Sequence, residues 1–263
     1  IKDLTDRKQP VVTDPRIGRK IDFLVGVEQR MRRDPKGYPR TPQHENDADA
    51  ATASIRFVCD VNRWEQKASN VAHDGMVSNL GVAWVGIEAG EVVIKSVDVA
   101  RFFYDPRSIM PDFSDARYCG VHLWMDIEDA VEQWPGKEDV LRGMMDQNAI
   151  NAFSRADIDQ ATQWADLEQT RIRVVEFWEK KRGAWEYCFF CGETSLDHGP
   201  SPYLNEKGKT EQPYLAWSAY IDEKGDRYGV VRMMKSMQNE INHRRSKFLH
   251  MLNVRQVFVR TGM

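Results

Sequence analysis

The residues most able to do chemistry in this 263-residue chain fall into three groups. The first is Cys188-x-x-Cys191 with His198 downstream. A structural zinc ion normally needs four ligands, so Cys59 and Cys119 would have to be recruited from far away. Residues three apart on a regular strand also point to opposite faces, which favours two unligated thiols, and no metal is expected. The second group is Pro111-Asp112 followed by Glu179-x-Lys181, the pattern of a metal-dependent nuclease acting on DNA, in which two acids hold magnesium and a lysine assists the attacking water. Here 66 residues separate Asp112 from Glu179. A turn residue and two exposed strand charges are the plainer reading. His243 and His250, seven apart and so on one helical face, lack a third ligand. No P-loop, Gly-x-Ser-x-Gly, His-Glu-x-x-His or calcium-loop pattern is present, and no cofactor is expected.

The third group is a charge concentration. Residues 227–260 hold eight basic residues and one acidic residue, Glu240, a net +7 in a chain of net −3. The remainder therefore carries −10, derived from the same sequence. Arg232, Lys235, Arg244, Arg245, Lys247 and Arg255 are candidates for contact with phosphate. They cannot all face one way, because Arg244 and Arg245 are about 100° apart on a helix. The alternatives are an interface with acidic surfaces and an ordinary solvated face.

The element that must position these charges is a helix predicted over about 226–259, with Asp226 as N-cap and no proline or later glycine beyond Gly229. Such a helix would extend about 45 Å at 1.5 Å per residue. Val230, Met234, Met237, Ile241, Phe248 and Leu252 form its apolar stripe, at three- and four-residue steps or sums of them. Upstream, periodicity predicts helices over Arg16–Arg33, from Asp47 or Asp49 to Trp64, and over Glu65–Leu80. A β-hairpin follows, Val82–Ile87 and Val92–Val97 around Glu88-Ala89-Gly90. Residues 101–117 are aromatic and then turn-rich, and Tyr118–Met125 reads as a strand. Asp126 caps a helix that Pro135-Gly136 ends, and 137–166 reads as helical and acidic. Arg171–Phe190 is strongly β with a turn at Gly183, 192–213 reads as loop, and Tyr214–Ile221 as a last strand. The fold class is α+β.

Composition is that of a soluble chain, 41% hydrophobic and 29% charged, with apolar runs far too short to span a bilayer. Four cysteines do not make a disulfide scaffold at this length. The first residue is Ile1, so the natural N-terminus is expected upstream. Most of the eight tryptophans and eight tyrosines are expected in the core, with some at subunit interfaces.

Two stretches carry a family resemblance: FFYDPRSIMPDFSDARYCGVHLWMDIEDA and YGVVRMMKSMQNEINHRRSKFLHMLNVRQVF. In this order they resemble bacteriophage portal proteins, the head-to-tail connectors of short-tailed phages, and the second is similar to the family's long stem helix. The resemblance implies a non-enzymatic subunit of a homo-oligomeric ring of about twelve copies. Such a ring sits at one capsid vertex of the virion, is assembled in the host cytoplasm, and passes double-stranded DNA during packaging and ejection. It implies as partners the large terminase subunit, tail or head-completion proteins, and capsid and scaffolding proteins, with no membrane. On that template residues 1–125 are a partial wing and 126–165 a helical segment that could hold a first stem helix. Residues 166–225 are then a β-rich clip, and 226–263 a second stem helix running into a tunnel loop. The later wing segment and the crown would lie beyond Met263.

Overall fold

The structure, a computed structural model, describes residues 10–145 and 164–253. Three helices come first: α1 (Arg16–Met31), α2 (Glu45–Val61) and α3 (Trp64–Val77). The break between α2 and α3 is made by Asn62, whose amide donates to the carbonyls of Val58 and Val92 while its oxygen accepts from Ile94 N–H. One side chain thus caps a helix and fastens it to a strand. Arg63, at φ 50°, turns the chain into α3.

The hairpin forms as expected, with β1 (Gly81–Glu88) paired to β2 (Glu91–Val97). Its two-residue turn, Ala89-Gly90, has positive φ at both positions, 50° and 86°, the geometry that matches strand twist. β9 (Tyr214–Trp217) adds to the other edge of β1, giving the order β2-β1-β9.

The larger sheet runs β3-β4-β6-β7-β8, with β5 (Ala165–Asp166) also on β6. Its strands are β3 (Phe102–Tyr104), β4 (Tyr118–Asp126), β6 (Arg171–Lys181), β7 (Ala184–Cys191) and β8 (Thr194–Pro200). β4 and β6 pair along their length, from Tyr118 opposite Glu179 to Asp126 opposite Arg171. One face carries two cores. The first includes Val121, Trp178 and Trp185 and meets Leu80, Val82 and Tyr214 of the smaller sheet and its approach. The second packs Ile172, Val174 and Cys191 against α4 (Ile127–Gln133) and α5 (Glu138–Gly143). Asp126 sits at the N-cap of α4 with extended backbone, and Pro135 follows its end.

Three expectations need amendment. Residues 194–200 form a strand where a loop is expected. β8 is an edge strand whose exposed positions are polar, and Pro200 at its end is tolerated because an edge need not donate on both sides. The predicted start of the last helix at Asp226 is wrong. β10 (Tyr220–Ile221) and β11 (Arg227–Tyr228) pair across a turn in which Asp222 accepts from the backbone of Lys224 and Asp226. The helix, α6, therefore begins at Val230, and its described part ends at Asn253. Of the helical stretch expected over 137–166, α5 forms six residues, while 146–163 lie outside the described residues.

Candidate functional site

α6 spans 24 residues, about 36 Å, and its sides differ in chemistry. One side is docked by polar groups. Gln238, Asn242 and Ser246, at four-residue steps, lie under the extended segment that leads into α1. Ser246 Oγ accepts from Val12 N–H at 2.9 Å, and Asn242 Oδ1 from Asp14 N–H at 3.0 Å. Gln238 Oε1 accepts from Arg16 and Ile17 N–H, at 3.0 and 3.2 Å, while its Nε2 donates to the carbonyl of Asp14. The otherwise free Ile17 N–H of the first turn of α1 is thereby satisfied by a side chain from far along the chain, which also takes a second bond from Arg16 N–H. Ser246 is 1% exposed, the only fully buried residue among those described in α6.

A second side is apolar and uncovered. Met237, Phe248 and Leu252 of the predicted stripe are 67%, 63% and 62% exposed, and Met233 and Met251 join them. Val230, Met234 and Ile241 are partly buried towards the body. The predicted packing stripe is therefore divided within one chain.

The basic residues are divided as well. Arg232 pairs with Asp222 at 3.1 Å and lies 4.7 Å from the Tyr228 ring centroid. Arg245 pairs with Asp14 at 3.1 Å. Asp14 is held below the usual carboxylate range first by the hydrogen bond from Arg16, with Arg245 adding to it against the opposing effect of burial. Arg244 pairs with Glu240 one turn back. Lys235 and Lys247 are exposed and form no ion pair among the described residues. Arg255 lies outside the described residues.

The base of α6 is fixed by a residue absent from the phosphate candidates. Arg227 is 7% exposed, and one of its terminal nitrogens donates to the carbonyls of Ser108 and Met110 and to Ser108 Oγ, at 2.8–3.0 Å. Its guanidinium lies 3.7 Å from the Phe113 ring centroid and 5.5 Å from that of Tyr104. Burial pulls its pKa down, opposed first by Tyr104 and then by Asp115; arginine still remains a cation. The loop it grips is itself braced: Asp115 accepts from Ser108 Oγ and Ile109 N–H, and Asp105 from Arg107 and Arg117 N–H. Next to Arg227, Gly229 is pressed against the end of α3, where a Cβ would lie 2.5 Å from the Met76 carbonyl oxygen. The loop 105–117 and the start of α6 are thus one junction.

The other chemical candidates stay apart. Lys181 bridges Glu179 and Glu186 on the sheet surface, and Asp112 accepts from the Ser114 hydroxyl and N–H. Cys188 lies opposite His198 across β7 and β8, whereas Cys191 belongs to the second core, against Met144. Burial pushes the Cys191 thiol up to about 11. His243 is exposed and His250 partly buried, and no group of three or more potential metal ligands occurs among the described residues.

Sequence reasoning missed the polar ladder and Arg227. The ladder had a signal, a Gln-x-x-x-Asn-x-x-x-Ser stripe within an otherwise apolar and basic helix. Arg227 had none, because its partners are more than 110 residues away.

A family model described as phage P22-like portal protein matches residues 1–184 and 179–263, so that the two matches together span the chain. No curated protein matches it.

Proposed function

The chain belongs to the phage P22-like portal protein family, and from that premise we propose that it acts as one subunit of a ring-shaped DNA channel at a single capsid vertex. Membership makes it a structural phage component of the short-tailed type. The ring, of about twelve copies, carries the genome in during packaging and out during ejection, and docks the large terminase subunit, then tail or head-completion proteins. Capsid and scaffolding proteins surround it in the virion. No described helix is long and apolar enough to cross a membrane.

One observation supports this reading above the others: α6 is anchored to its own subunit by hydrogen bonds while its apolar side is left open. A monomer gains nothing by exposing Met233, Met237, Phe248, Met251 and Leu252 together, and contiguous apolar patches mark contact surfaces. In the proposed ring, α6 stands as a stem helix and this side packs on the neighbouring subunit. Arg232, Arg245 and Arg244 are held by Asp222, Asp14 and Glu240, which leaves Lys235 and Lys247 as the described candidates without an ion pair and so best able to meet passing phosphate. Each neutralised phosphate adds salt-dependent affinity, so a few such charges per subunit fit a duplex that must slide.

Native mass spectrometry tests the ring. Closed oligomers of about twelve subunits are expected from the full-length chain, and Met237→Asp should shift them to monomers with an unchanged circular dichroism spectrum. Monomers under all conditions for the unaltered chain would refute the proposal.

A further inference from the structure

Between the two cores on the face of the larger sheet lies an open cleft of about 820 Å³. We propose that this cleft receives an arginine side chain presented by an extended peptide segment of a partner protein.

The central observation is Glu176. On β6 the core-facing positions run Ile172, Val174, Glu176 and Trp178, so a carboxylate occupies a place where the pattern calls for an apolar side chain. In register it lies between Val121 of β4 and Phe189 of β7. A buried carboxylate is costly unless it is paired and hydrogen-bonded. Glu176 accepts from the Trp178 indole N–H at 2.7 Å, and the Tyr214 hydroxyl lies beside it. Burial outweighs these donors and pushes its pKa up, as for a carboxylate with no cation against it.

It has no cation of its own. Lys95 is near enough to act on it, but its ammonium pairs with Glu88 and lies 5.1 Å from the Trp84 ring centroid. Arg101, also on the rim, is drawn to Asp98. Among the described residues the carboxylate therefore stays uncompensated at the floor of a cleft that is open to solvent.

The walls suit a guanidinium. Trp178 is buried and packs at a tilt against Tyr187 and Tyr203, which are partly exposed and line the cleft. A planar cation laid against the open side of Tyr187 or Tyr203 gains cation–π attraction and presents two donors to the carboxylate, which an ammonium cannot match in geometry. Asp197, which accepts from the Tyr187 hydroxyl, adds a second carboxylate at the rim. The volume is of the order that holds ligands much larger than one side chain, so a peptide carrying the arginine fits better than a small free cation. The inference is independent of ring formation, since every group named belongs to one subunit.

The full chain is titrated with acetyl-Gly-Arg-Gly-amide and with the glutamine counterpart, following tryptophan fluorescence. The arginine peptide is expected to give a saturable change, with the glutamine peptide at least tenfold weaker. Glu176→Gln should weaken the arginine peptide at least tenfold, and Lys95→Gln at the exposed rim should tighten it several-fold by removing a competing cation. No saturable response, equal responses to both peptides, or an unchanged response in Glu176→Gln would overturn the proposal. Should Glu176→Gln fail to fold, an unchanged affinity in Lys95→Gln would overturn it instead.

Discussion

The sheets and the helices of this protein are finished to different degrees. β6, eleven residues long, buries Ile172, Val174, Val175 and Trp178. α1, α2 and α6 are sixteen, seventeen and twenty-four residues long, and each buries a single residue: Ile21, Thr52 and Ser246. Two of those three are polar. The sheets hold apolar side chains between layers, whereas these helices are held at a few points and leave Phe23, Phe57, Met237 and Phe248 outside. The sheets thus hold most of the apolar core, while these three helices keep large apolar side chains on their open sides.

The sharpest way to break this contrast is to truncate one aromatic residue in each region. Trp178→Ala is expected to cost about 3–5 kcal/mol in chemical denaturation of the chain, the usual loss for a buried large side chain. Phe248→Ala should stay within about 0.5 kcal/mol by the same measurement. Comparable losses at both positions would show that the helical layer is cored after all.

The junction comes next. Arg227→Met removes charge-assisted bonds to Ser108 and Met110 and leaves the Ser108 carbonyl without its donor, while that of Met110 keeps the Phe113 N–H. A loss of about 2–3 kcal/mol is expected, with faster amide exchange at both loop 105–117 and the first turns of α6. Exchange confined to one of the two would show that they are not coupled.

Gln238→Ala should cost about 1–2 kcal/mol, since Ile17 N–H loses its partner while Arg16 N–H and the Asp14 carbonyl keep only the bond between them. The effect should appear as lost exchange protection over residues 12–17, with the sheets unchanged.

The smallest effect is a pH dependence. Asp14 has its pKa lowered from 3.8 in the fold. Its contribution is therefore complete above that value and is lost as the pH falls through the lowered one. Protection of residues 12–17 should decline over that acidic interval, and Asp14→Asn should abolish the pH dependence. A decline that persists in Asp14→Asn would assign it to another carboxylate.

Much of the local structure was legible because it depends on neighbours in sequence. The Ala89-Gly90 turn and the turn at Gly183 are readable from residues that accept positive φ. The helix after Asp126 and its end at Pro135 follow from acidic residues in its first turn and from a missing N–H. The candidate site was legible only in outline. A basic, partly apolar helix near the C-terminus was expected and is present, shorter at its start because Arg227 and Tyr228 belong to a strand. Arg232 and Arg245 look alike in sequence to Lys235 and Lys247, and only the positions of Asp222 and Asp14 separate them.

By itself the sequence determined the fold class, most element boundaries to within a few residues, the concentration of positive charge in the last helix, and the family, through two stretches with 97 residues between them. The tertiary structure decided that Arg227, just before the second stretch, grips the loop of the first, that Gln238, Asn242 and Ser246 hold the N-terminal segment, and that Glu176 faces an open cleft. The division has one physical cause. Turn chemistry, capping and periodicity act within a few residues, whereas the partner of a buried charge or a free N–H is chosen by which surfaces meet, and alternation along a strand says which face is buried without saying against what.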